Sequence, residues 1–192
     1  MRGPYAKTAG RIEHILEVSL SLFAANGYRA TTMKEIAERA RISQTGLMHH
    51  FPTKADVLIA LLARRDERVE ALARSRTGSP LDRLVAIAEA NERDPLSLRL
   101  HCVISAEAIA PDHPAHRYYQ DRYGRVRDRL TAAFTGLRAE GLLRSEREPA
   151  VLARMLIALY DGLQLQWLLD PDSVDMEAAV REFLGAFVSD RQ

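Results

Sequence analysis

Apolar residues recur at three- and four-residue steps along most of this chain, the spacing that gathers them on one face of an α-helix. Ile12, Ile15, Leu16, Leu22 and Phe23, with Ser19 on the same face, predict a first amphipathic helix, and "NGYRA" ends it with Gly27 as the stop. Thr32 stands three residues before Glu35, a capping box that opens a short second helix. The "RIS" that follows is long enough only for a turn. Ser43 caps a third helix of about two turns, which Phe51-Pro52 closes because the residue before a proline avoids the α region. Thr53 then caps a fourth helix, with Leu58, Leu61, Leu62, Val69 and Leu72 near one face.

The stretch "TGSP" is the clearest break in the chain. Beyond it the pattern predicts helices over roughly 81–93, 95–110, 114–140, 149–169 and 174–189. Asp94-Pro95, "APDHP", "EGLLRSEREP" and "DPDS" separate them. There is no alternating strand pattern of useful length and no internal repeat. The expectation is an all-α protein of about nine helices, preceded by "MRGP" as a flexible lead.

A length of 192 residues suits one sizeable domain, or a small module fused to a larger one. The formal net charge of +1 says nothing about partners, but its distribution does. Residues 1–54 hold eight Lys/Arg against four Asp/Glu, while the remainder holds 19 against 22. That asymmetry points the front of the chain at something anionic. The single cysteine, Cys102, excludes an internal disulfide and a Cys-rich zinc site and fits a reducing cytosol. No apolar core follows the polar N-terminus, and no apolar run approaches the ~20 residues of a membrane span. The expectation is a cytoplasmic protein with no membrane partner.

Two short helices joined by a three-residue turn form a helix-turn-helix arrangement. Close crossing needs a small residue on the first helix, which Ala37 supplies, and Ile36, Ala40, Ile42 and Leu47 are spaced to hold the angle. With Leu47 inward, Gln44, Thr45, Met48 and His49 share an outward face polar enough to read base edges in a major groove. In its surroundings, "TTMKEIAERARISQTGLMHHFPTKADVLIALL" closely resembles the signature of the TetR family of transcriptional regulators. The resemblance is strong over residues 8–60 and architectural over the rest. It implies a helix-turn-helix DNA-binding domain over 1–54 and a helical effector-binding and dimerisation domain over 55–192. Repression, a palindromic duplex operator, homodimerisation and release by a small-molecule effector are implied with it, and no cofactor is.

The matching positions also have physical reasons. Thr31 and Thr32 stand at a helix N-terminus, where hydroxyls, free N–H groups and the dipole favour a phosphate. Lys54 lies in the first turn of the fourth helix, which the dipole disfavours for a cation. The resemblance places it on the DNA backbone. His50 matches a phosphate-contacting position too, or packs three residues after Leu47. Ser43 and Gly46 complete the candidate DNA-binding set with Arg41. Three positions depart from the family pattern. Arg41 fills a turn position usually held by Gly, where a positive φ strains an L-residue by about 1–2 kcal/mol; a phosphate contact would explain its presence. Met48 replaces a frequent Tyr and either meets a thymine methyl or adds packing. Gly46 costs about 1 kcal/mol in a helix relative to Ala, which a close approach to the DNA backbone would justify.

In the body, "AVLARMLIALYDGLQLQWLLD" is apolar around most of its circumference, with Arg154, Asp161 and Gln164 as a narrow polar stripe. Such a helix must pack on two sides. One side can meet a symmetry mate in a four-helix bundle, with Leu156, Tyr160 and Leu163 joined by Val180, Phe183, Leu184 and Phe187. Effector pockets lie between helices, and the candidate lining residues are His101, Cys102, Ser105, Tyr118, Tyr119, Gln164 and Trp167. For any one of them, ordinary packing with some solvated polar groups is the simpler expectation.

Other classes leave traces as well. A helical small-molecule binder without DNA binding would need no outward Gln-Thr face. A metal-dependent enzyme could draw on Asp112, His113 and His116, although solvated loop histidines are the simpler expectation there. His101-Cys102 and His49-His50 are helix neighbours pointing about 100° apart, a poor nucleophile–base geometry. No Gly-rich phosphate loop or serine elbow is present, so the chain is expected not to be an enzyme.

Overall fold

The computed structural model describes residues 4–75 and 80–189, and nine α-helices dominate them. They are α1 (Pro4–Ala30), α2 (Met33–Arg39), α3 (Gln44–His50), α4 (Lys54–Ser75), α5 (Pro80–Arg93), α6 (Pro95–Glu107), α7 (His116–Ala139), α8 (Pro149–Leu169) and α9 (Met176–Phe187). A single 3-10 turn, Pro171–Ser173, precedes α9, and an isolated bridge between Leu143 and Val188 is the lone β pairing among the described residues. The all-α expectation holds. The first three residues of the expected lead and the first three of "TGSP" lie outside the described residues. Helix α1 already includes Pro4, and α6 stops at Glu107 rather than near 110. The turns that follow α6 (Ala110 N–H to Glu107 O, His113 N–H to Ala110 O, His116 N–H to His113 O) accommodate Pro111 and Pro114, which have no N–H for a helix.

Local chemistry sets the boundaries. Thr32 and Glu35 form both halves of the capping box at α2, worth about 1 kcal/mol. Thr53 and Asp56 repeat the arrangement at α4: Asp56 Oδ2 accepts from the Thr53 N–H at 2.9 Å, and Thr53 Oγ1 accepts from the Asp56 N–H at 3.2 Å. Helix α2 ends in a Schellman motif, with the Ile42 N–H on Ala37 O at 3.0 Å and the Arg41 N–H on Glu38 O at 3.1 Å. The left-handed residue that motif requires is Arg41, at φ 55°.

The helices pack as two compact units, Met1–Glu67 with Leu96–Tyr118, and Arg68–Pro95 with Tyr119–Gln192. The division is not a cut after Lys54, because α6 and the first residues of α7 belong with the N-terminal helices. In the first unit the α1 face appears as expected: Ile15, Leu16, Ser19, Leu22 and Phe23 are buried, together with Ile36, Leu47, Leu58, Leu62, Leu98 and Ile104. In the second unit α9 packs on α5 and α8 around buried Val85, Phe134, Leu152, Leu156, Val180 and Leu184.

That second core takes up part of the expected dimer face. Leu156, Leu163, Val180 and Leu184 are buried within the chain itself, while Tyr160, Phe183 and Phe187 are half-buried. The apolar residues α8 leaves open are Val151, Met155, Leu165 and Leu169, all exposed. With Ala158 exposed and Gly162 half-buried they form a stripe at alternating four- and three-residue steps. The stripe was present in the sequence, but a helix apolar on every side does not show which of its stripes faces inward.

Candidate nucleic-acid interface

Helices α2 and α3 cross with Ile36 and Leu47 fully buried and Ala37 and Ala40 nearly so, while Ile42 is half-buried. The small Ala37 permits the close approach, and Leu47 fixes which face of α3 turns inward. Ser43 caps α3 through its hydroxyl, which accepts from the Gly46 N–H at 3.0 Å. A Cβ on Gly46 would lie 3.1 Å from that Oγ, a tight contact that a shift of a few tenths of an ångström relieves. The face opposite Leu47 is open: Gln44, Thr45 and His49 are exposed, and Met48 is 48% exposed. Arg41 and Ser43 are exposed beside it, and His50 is half-buried with its ring edge-on to His49 at 5.8 Å.

The two threonines occupy different environments. Thr31 is fully buried, and its hydroxyl donates to Gly27 O at 2.9 Å across the turn that leaves α1. Its side chain therefore closes the turn and is withdrawn from the candidate phosphate surface. Thr32 is exposed, but its hydroxyl donates to Glu35 Oε2 at 2.9 Å. The hydrogen bonds from Thr32, first of all the backbone one, hold the Glu35 carboxyl below the usual carboxylate range.

Lys54 has a structural role that its position in sequence did not suggest. Its Nζ donates to Tyr28 O at 2.7 Å, to Thr31 O at 2.6 Å and to Arg29 O at 3.3 Å, and lies 4.2 Å from the centroid of the Tyr28 ring. An ammonium has three donors, so all of them are committed to the carbonyls at the end of α1. Burial pulls this ammonium below the ordinary lysine value, while Glu107 and Glu35 act in the opposite sense. The cation that is awkward for the dipole of α4 is thus favourably placed at the C-terminus of α1.

The same turn is gripped from its other side. Gly27 has φ 73°, which breaks α1, and the Tyr28 N–H donates to Glu107 Oε2 at 2.9 Å. Gly27 is favoured by its left-handed conformation, and a Cβ there would lie 2.1 Å from Glu107 Oε1, so the carboxylate would have to move from its present place. Arg29 pairs with Asp112 at 3.3 Å. His113 is buried against the edge of the Tyr28 ring, its Nδ1 accepts from the Ala115 N–H at 3.2 Å, and its Nε2 lies 3.4 Å from Glu107 Oε2. Burial holds the His113 imidazolium below the ordinary histidine value, with Glu107 opposing. The expectation of solvated histidines in "DHPAH" is corrected: His113 is buried and the half-buried His116 places Nδ1 2.8 Å from Ala108 O. No group of three or more His, Cys, Asp or Glu among the described residues is arranged to hold a metal. Glu107 was missed in the sequence, since no spacing rule links it to a partner 79 residues away.

The residues expected to line a pocket divide between the two units. In the first, His101 is buried, and Cys102 and Ser105 are half-buried, with the Ser105 hydroxyl donating to Cys102 O at 3.0 Å. Tyr118 donates to Asp66 Oδ2 at 2.6 Å. In the second, Tyr119 and Gln164 are buried and Trp167 is half-buried. Gln164 Oε1 is enclosed and has no hydrogen-bond partner. Nearby in sequence, Tyr123 donates to Asp161 Oδ2 at 2.9 Å, and burial pushes the Tyr160 hydroxyl well above its ordinary value. Among the described residues no helix is long and apolar enough to cross a membrane.

Residues 15–61 match the family model of the bacterial regulatory proteins, tetR family, and residues 80–190 match that of the BetI-type transcriptional repressor, C-terminal. The HTH-type transcriptional repressor KstR of Rhodococcus jostii is 33% identical over 129 residues, which are 64% of this chain and 58% of that protein. The HTH-type transcriptional regulator TtgR of Pseudomonas putida is 29% identical over 181 residues, 88% of this chain and 86% of that one. Among solved structures, a transcriptional regulator from Saccharomonospora viridis in complex with choline superposes with a TM-score of 0.74 at 25% identity, covering 95% of this chain and 100% of that chain. A capped helix-turn-helix with an open reading face, joined to a helical body that a repressor family model matches along most of its length, identifies the chain as a member of the TetR family of transcriptional regulators.

Proposed function

We propose that the chain is a homodimeric repressor that lays α3 of each protomer into the major groove of a palindromic operator and is released by a small molecule. The observation that carries this reading is the face of α3: Gln44, Thr45, Met48 and His49 exposed over a buried Leu47, on a helix fixed at its start by Ser43. Amide and hydroxyl side chains read base edges, and an exposed Met suits a thymine methyl. Arg41 supplies a cation beside that face, where a phosphate contact offsets its backbone strain. In this reading residues 1–54 bind DNA and residues 55–192 hold the effector and the second copy.

Dimerisation is supported by the stripe Val151, Met155, Leu165 and Leu169, since an exposed apolar surface of this length on one helix suits burial against a symmetry mate. Two heads related by a two-fold axis match a palindrome. An effector is supported by the match of residues 80–190 to the C-terminal repressor family model and by the choline complex of the similar Saccharomonospora viridis regulator.

Selection of bound fragments from a genomic library, followed by salt titration on the enriched duplex, tests the reading. Repeats related by a two-fold axis should emerge, and Gln44→Ala should relax the sequence preference while leaving the salt slope unchanged. Absence of salt-dependent duplex binding would return the chain to the class of helical small-molecule binders.

A further inference from the structure

We propose that Glu107 is the positioning residue through which α6 sets the conformation of the DNA-reading head. The inference rests on the reading of α3 as the DNA-contacting element. Lys54 and Thr31 hold the turn between α1 and α2 from within the N-terminal segment. Asp112 and His113 touch it from the segment after α6, and Glu107 touches it from α6 itself. Glu107 is the last residue of α6, and its carboxylate reaches Gly27 and Tyr28 where α1 breaks.

The chemistry makes this contact a coupling element. The Tyr28 N–H lies just past the break at Gly27 and donates to Glu107 Oε2. A carboxylate accepting from a backbone N–H is a charge-assisted bond, and withdrawing it leaves a part-buried donor unsatisfied. A side chain at Gly27 would collide with the other carboxylate oxygen in its present place. His113 backs Glu107 at 3.4 Å, and Arg29–Asp112 ties the segment after α6 to the same turn. A shift at the end of α6 therefore changes the stability of the turn that orients α2 and α3. Linkage works in both directions, so DNA bound at α3 must stabilise α6.

That reciprocity gives a test that needs no effector. Amide hydrogen exchange is measured on the full chain with and without the duplex that the wild-type chain enriches from a random-sequence pool. In the wild type, duplex binding should slow exchange in α6 by about fivefold or more, the lower end of ordinary allosteric coupling, in addition to slowing α2 and α3. Glu107→Gln keeps an oxygen within reach of the Tyr28 N–H and should retain the α6 effect. Glu107→Asp keeps the charge, shortens the reach by one methylene and should lose it, as should Glu107→Ala. The opposite ranking, with Asp like wild type and Gln like Ala, would assign Glu107 an electrostatic role toward Lys54 and His113 and overturn the proposal. Absence of any α6 effect in the wild type overturns it without recourse to a variant. If no duplex is enriched, the DNA-binding reading fails first and the coupling with it.

Discussion

Replacing Lys54 with Met removes three donors while keeping most of the aliphatic stem, so it separates a structural lysine from a DNA-contacting one. The bonds to Tyr28 O and Thr31 O, at 2.7 and 2.6 Å, are partly buried; the third, to Arg29 O at 3.3 Å, is exposed and contributes little. Hydrogen bonds to charged groups contribute about 1.5–3 kcal/mol each. Taking the two partly buried bonds at the lower end gives a loss of about 3 kcal/mol. For a chain of this size each kcal/mol moves the thermal midpoint by about 2–4 °C, so Lys54→Met should melt roughly 6–12 °C below wild type. Calorimetry at neutral pH measures that shift, and a salt titration of duplex binding provides the second axis. Removing one phosphate interaction from each of two heads would lower the slope by about 1.8, whereas a lysine held on carbonyls leaves the slope unchanged. A variant that melts within about 1 °C of wild type and shows that smaller slope would refute the assignment of Lys54 to the end of α1.

Three further outcomes follow from the same geometry. Arg41→Gly relieves the left-handed strain of about 1–2 kcal/mol, partly offset by the chain entropy of glycine, and should raise the thermal midpoint by about 1–3 °C; if Arg41 also meets a phosphate, the salt slope falls in the same variant. Leu165→Glu should produce monomers in sedimentation at micromolar concentration with the protomer still folded, whereas Leu156→Ala should cost about 2–5 kcal/mol of protomer stability; a dimer that survives Leu165→Glu excludes the α8 stripe. His113 is held below the ordinary histidine value in the folded chain, so the unfolded chain takes up the proton first as the pH falls through about 6.5. Its contribution is complete above that value and is lost toward lower pH, so His113→Gln should show a smaller drop in melting temperature between about pH 7.5 and 5.5 than wild type; equal drops would place the acid sensitivity elsewhere.

What could be read in the sequence was whatever is decided within a few residues. Thr32–Glu35, Ser43 and Thr53 marked helix starts because each cap acts on the next turn, and the inward Leu47 fixed the open face of α3 through helical periodicity alone. The partners of Lys54 were not legible for the converse reason. The dipole of α4 disfavours a cation there and the resemblance points it to the DNA backbone, but its Nζ reaches carbonyls 23 to 26 residues away. The same limit hid His113, whose Pro-containing surroundings suggest solvent while Tyr28 and Glu107 enclose it. Helix α8 failed in another way: with apolar residues on nearly every side, periodicity offered several stripes and could not rank them.

The 79-residue separation of Tyr28 and Glu107 also sets an order of assembly. The caps of α2, α3 and α4 are encoded next to the helices they start, so the signals for these helices are complete once the first 56 or so residues have been made. The acceptor for the Tyr28 N–H arrives only when α6 has been made, since contacts of high sequence separation form late. A nascent chain therefore carries a helix-turn-helix whose hinge is not yet latched. If Glu107 positions the head as proposed, that latch is added only with the middle of the body.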